Sequence, residues 1–91
     1  MARCPTELLD DLAGVLTQVR TWAGVTEKRP AVFYLRRQPF LHFHLVEGRR
    51  RRADIKTPAG WKQLDLPRPI SPARRRAFLS ALRRQHAERV R

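Results

Sequence analysis

Cysteine occurs once, at Cys4, so the chain can form no internal disulfide and no cysteine-rich zinc site. Long apolar runs are missing as well. The longest near the centre, residues 31–35, falls far short of the roughly 20 residues that cross a bilayer. Residues 1–7 lead into Asp10 and Asp11, with no uninterrupted apolar segment of the kind a secretory signal needs. A cytoplasmic protein without a membrane partner is expected. The four glycines form no phosphate-cradling loop, and G-x-S-x-G is absent. The only adjacent carboxylates, Asp10 and Asp11, suit the positive end of a helix dipole better than acid–base work. No catalytic residue and no cofactor is assigned on these grounds.

Acidic residues are few, 8 against 20 lysines and arginines, and the chain carries a net charge of +12. That charge is unevenly placed. Residues 1–47 net +1, whereas residues 48–91 net +11. Such asymmetry suits an anionic partner, nucleic acid or another polyanion before all. Arginine outnumbers lysine 17 to 3, and GC-rich coding alone yields the same bias; a solvated basic surface is the competing explanation.

With 91 residues the chain has room for one small domain, 1–91, and 42% hydrophobic content supplies a single core. Leu8, Leu12, Val15, Leu16, Val19 and Trp22 recur at helical spacing, predicting an amphipathic helix over 5–23. Thr6 or the Cys4-Pro5 step begins it, and Gly24 ends it. Residues 25–30 read as a polar connection. Strands are predicted over 31–35, 40–46, 51–56 and, less regularly, 61–66, with reversals at 36–39, 47–48 and 57–60. Ser71-Pro72 opens a last helix over 72–88, whose narrow apolar face is Ala73, Ala77, Phe78, Ala81 and Leu82. The expected fold is α+β: an N-terminal helix, an antiparallel meander of three or four strands, and a C-terminal helix. Both helices are expected on one sheet face.

Alternation along 40–45 assigns Leu41, Phe43 and Leu45 to the core, and Phe40, His42 and His44 to the opposite face. Two imidazoles at a two-residue step can share a metal, but zinc or iron needs a third protein ligand. Asp54 is the first choice, if the hairpin register brings it to His42; Glu47, His86 and Cys4 are further candidates. Hydrogen-bonded histidines on a half-buried sheet face are the alternative. The uncovered face is also where a ligand or a second copy of the chain would dock.

The arginine runs carry the leading functional expectation. Arg49, Arg50, Arg51 and Arg52 fall at a hairpin tip, and Arg74, Arg75 and Arg76 in the first turns of the last helix. Arginines there oppose the helix dipole, a misfit that a bound phosphate relieves. Phe40, Tyr34 or Trp61 can stack on bases if exposed. No RRM, KH or helix-turn-helix signature is present. The chain is expected to be a non-enzymatic binding module.

Residues 31–79 resemble a group of small uncharacterised bacterial proteins. The shared features are an F-L-H-F-H strand, an A-D-[IV] strand and a tryptophan-containing segment. Here these are Phe40-Leu41-His42-Phe43-His44, Ala53-Asp54-Ile55 and Gly60-Trp61-Lys62. That group lends no established activity. More loosely, Asp54-Ile55-Lys56, Trp61, Leu64 and the run from Ile70-Ser71 to Phe78 are similar to the MmcQ/YjbR proteins. That resemblance implies a small α+β domain and DNA binding.

Overall fold

The computed structural model describes residues 2–90. The chain order is β1 (Ala2–Arg3), a 3-10 segment (Thr6–Leu12), α1 (Ala13–Arg20), β2 (Val25–Arg29), β3 (Val32–Leu35) and β4 (Gln38–Val46). After a short 3-10 turn (Glu47–Arg49) follow β5 (Arg50–Thr57), β6 (Gly60–Leu66) and α2 (Pro72–Val90). The strands form one antiparallel sheet in the order β2-β3-β4-β5-β6, with β1 paired to the free half of β4. The α+β architecture is as expected; the strand count is higher.

Two strands escaped the sequence pattern. β2 occupies the stretch expected to be a connection, and it pairs with β3 from Val25↔Leu35 to Arg29↔Val32. Its Thr, Glu, Lys and Arg side chains suit an edge, where charge discourages pairing with other chains. Glu27 is held there by Arg20 (2.8 and 3.1 Å) and by the Ala31 amide (2.8 Å). β1 is only two residues long, Ala2↔Leu45 and Arg3↔His44.

The core lies between one face of the sheet and both helices. Phe33, Leu35, Leu41, Phe43, Ala53, Ile55 and Leu66 face Leu12, Val15, Leu16 and Val19 from the N-terminal segment and Phe78 and Leu82 from α2. Phe43 and Phe78 meet edge to face at 6.1 Å. Each fully buried Phe or Leu contributes about 1.5–3 kcal/mol by leaving water. The two helices also touch each other, through Trp22–His86 ring contact at 5.3 Å and an Arg83–Gln18 hydrogen bond of 2.6 Å.

Three local expectations need correction. The helix over 5–23 is not continuous: Leu9 departs from helical geometry (φ −110°, ψ 17°), and Pro5 rather than Thr6 stands at the N-terminal cap. At that break the Leu8 carbonyl accepts a hydrogen bond from Arg51 (2.7 Å), diverting an acceptor a regular helix would use internally. Phe40 does not share the histidine face. Pairing shifts between Phe33↔Leu41 and Tyr34↔Pro39, so Phe40 is the extra residue of a bulge. It turns into the core, edge-on to His86 (6.3 Å) with the Arg89 guanidinium over its ring. Arg89 also donates to the Pro39 carbonyl (2.9 Å) beside the bulge. The third correction concerns Arg51, which is 1% exposed.

Ser71 caps α2 as expected, its hydroxyl accepting from the Arg74 amide (3.2 Å). Gly24 follows α1 in the left-handed region (φ 79°), where an added Cβ would meet Leu35 and Arg36 at 3.2 Å.

Candidate anion groove and histidine–aspartate face

The arginine runs divide once the register is fixed. Strand alternation on β5 sends Arg51 inward and Arg52 to the open face, leaving Arg49 and Arg50 in solvent at the hairpin tip. Arg51 spends all five N–H donors inside the protein. It bonds both Asp11 oxygens (2.5 and 3.0 Å) and the carbonyls of Leu8 (2.7 Å), Leu66 (3.0 Å) and Pro67 (2.7 Å). Asp11 also accepts from the Ile70 amide (2.6 Å). Burial pushes the Asp11 carboxyl up, but Arg51 and the Ile70 N–H outweigh it and hold it below the ordinary aspartate value. Arg51 is therefore a staple joining the N-terminal segment, β6 and the lead into α2, with no donor left for a ligand.

The remaining arginines meet a second set. Arg49 and Arg50 share a surface groove of about 400 Å³ with Arg68 and Arg74, and Asp65 adds one carboxylate to its wall. Arg68 is shared with Asp10 through an exposed pair (3.2 and 3.3 Å). Arg75 and Arg76 lie on α2 outside this groove. Members of the two arginine runs thus meet in one groove, through Arg49, Arg50 and Arg74. Arg68 was missed, because a lone arginine between two prolines gives no pattern.

The opposite side of the sheet is not covered by either helix. His42 pairs with Asp54 and Asp54 with Gln63, while His44 pairs with Arg52 and with Arg3 of β1. Trp61 is the exposed large hydrophobic residue among those described, 42% accessible, and meets the His42 ring at 4.6 Å. Lys56 lies 5.4 Å from the Trp61 ring and Lys28 4.6 Å from the Tyr34 ring. Beside the histidines runs a groove of about 430 Å³ whose cations are Arg3, Lys28 and Arg29. None of those three stood out in the sequence, since β1 and β2 had no strand pattern.

His42 Nδ1 and His44 Nε2 share a hydrogen bond of 2.8 Å, and His44 Nε2 lies 3.3 Å from Asp54 Oδ2. Asp54 is 6% exposed and is gripped from the other side by Arg52 (2.9 and 3.3 Å). The His44 Nδ1 atom is buried without a hydrogen-bond partner among the described residues. Burial lowers the His42 pKa, with His44 and Arg52 acting in the same sense and Asp54 against it. That shift favours the neutral imidazole, the form that offers a nitrogen lone pair. Of the third-ligand candidates, Asp54 joins the histidines in a compact group; Glu47, His86 and Cys4 stand outside it. His86 is engaged with the Ala23 carbonyl (2.8 Å), and Cys4 is buried in the core.

No helix among the described residues is long and apolar enough to cross a membrane. Compared with protein-family profiles, curated proteins and solved structures, the chain matches none.

Proposed function

We propose that this protein is a binding module for a polyanion, nucleic acid in the first place, and that the Arg49–Arg50–Arg68–Arg74 groove is its contact surface. The observation that carries the reading is convergence. Arginines from a hairpin tip, a proline-bounded linker and a helix start line one groove, although they are scattered over 26 positions of sequence. A scattered compositional excess of arginine has no reason to gather on one concave surface. Arg49, Arg50 and Arg74 form no ion pair among the described residues, so their charges are available to phosphate. The Ser71-capped start of α2 adds backbone N–H groups and a favourable dipole beside them. The resemblance to the MmcQ/YjbR proteins points the same way.

The uncovered sheet face supports the same class of ligand. Trp61 and Tyr34 offer stacking surfaces there, and Arg3, Lys28 and Lys56 surround them. Those cations favour an anionic ligand over a second copy of the same face. Binding to a mixed-sequence duplex at two salt concentrations tests the proposal. Neutralising three phosphates gives a slope near −3 in log K against log salt, roughly a 50-fold loss between 50 and 200 mM. Absence of binding at low salt, or binding indifferent to salt, would overturn it.

A further inference from the structure

We propose that His42, His44 and Asp54 form a three-ligand site for a divalent transition-metal cation of the zinc class, separate from the arginine groove. The three side chains converge through register alone: His42 and Asp54 are direct cross-strand partners, and His44 lies two residues along the same strand face. Their donor atoms, His42 Nδ1, His44 Nε2 and Asp54 Oδ2, form a triangle with sides of 2.8, 3.3 and 4.0 Å. One point lies about 2.0 Å from all three, against roughly 2.0–2.2 Å for zinc–nitrogen and zinc–oxygen bonds. That point lies in the plane of the three donors, so one face of a zinc tetrahedron, with edges of about 3.3 Å, forms when the 2.8 Å side opens and the 4.0 Å side closes by less than 1 Å each.

The surroundings suit a metal of this kind. Two imidazoles and one carboxylate are borderline donors that suit zinc, and among first-row ions geometry then selects. Arg52 binds Asp54 Oδ1 at 2.9 Å and Oδ2 only at 3.3 Å, orienting the carboxylate while leaving Oδ2 a lone pair for the histidine side. Trp61 packs against the His42 ring and fixes its plane. Three protein ligands leave a fourth position. Beside the histidines lies the groove carrying Arg3, Lys28 and Arg29, so an anionic oxygen donor is the ligand class that completes the site. The nearby Arg52 charge opposes a dication, and affinity is expected in the micromolar rather than the nanomolar range.

The test uses the full chain, made without a histidine tag and stripped with chelator. Co(II) titration, read by visible d–d absorption, and Zn(II) calorimetry are run on the wild type. The same titrations follow on His42→Ala, His44→Ala and a His86→Ala control, each checked for fold by circular dichroism. One equivalent is expected to bind the wild type and His86→Ala with tetrahedral Co(II) absorption. Losses on the order of 100-fold are expected in His42→Ala and His44→Ala. If the alanine variants fail to fold, His42→Gln and His44→Gln replace them. No saturable wild-type binding at 100-fold excess Zn(II), or binding that survives both histidine substitutions, overturns the proposal.

Discussion

His42 on β4 and Asp54 on β5 are direct cross-strand partners. That pairing places an aspartate against a two-histidine step on the sheet face that neither helix covers. A one-residue slip of the hairpin would send Asp54 into the core and Ala53 to the histidines. The register is held on the other face, where Leu41 meets Ile55 and Phe43 meets Ala53, all buried. Core packing therefore fixes the geometry of a polar group on the far side of the sheet.

The same alternation buries Arg51, and its removal is expected to be costly. Arg51→Ala leaves Asp11 and three carbonyls without their partner, and breaking a buried pair costs about 3–5 kcal/mol. Arg51→Lys restores the charge but not the five-donor fork, and is expected to recover less than half of the loss. Urea denaturation measures both. A change below about 1 kcal/mol for the alanine variant would show that the staple contributes little.

Asp11 contributes to the acid sensitivity of the fold, beside Glu27, whose carboxyl Arg20 also holds below its ordinary value. The folded pKa of Asp11 is depressed below the unfolded value near 3.8, so its stabilisation is complete above that value. It disappears as pH falls through the lower folded value. Urea midpoints of the wild type are expected to fall steeply below about pH 4. Asp11→Asn should start lower and show a shallower decline over the same window. Parallel profiles for the two proteins would remove Asp11 from this role.

The Arg36–Arg37 turn is a site for stabilisation. Leu35 pairs with Gln38, leaving two residues at φ 51° and 72°, a left-handed pair that hairpins usually fill with Asn-Gly. Relieving two non-glycine residues in that region is worth about 1–2 kcal/mol. Arg36→Asn with Arg37→Gly is expected to raise the melting temperature by several degrees. An unchanged or lower value would mean that the arginine side chains contribute contacts of comparable worth.

Much of the fold was legible because periodicity survives wherever one face is buried. The stripe from Leu12 to Val19, the α2 face at Phe78 and Leu82, and the alternation from Leu41 to Leu45 all read directly. β2 did not, because an edge strand with one neighbour and little burial has no apolar face to repeat. Phe40 misled for a different reason: a bulge adds one residue and breaks the two-residue period at that point. The arginine runs were visible as composition, but their division was not. Whether Arg51 or Arg52 faces inward depends on register, and only the inward one finds Asp11.

Nucleic-acid binding by two charge-matched triple variants tests the functional reading most directly. Arg49→Ala/Arg50→Ala/Arg74→Ala removes groove charges, while Arg37→Ala/Arg76→Ala/Arg84→Ala removes three exposed cations that line neither this groove nor the histidine face. Affinity for a labelled duplex at low salt is read by fluorescence anisotropy beside the wild type. The groove variant is expected to bind on the order of 100-fold more weakly, and the control within a few-fold of wild type. Equal losses in the two variants would assign binding to diffuse charge and contradict the groove.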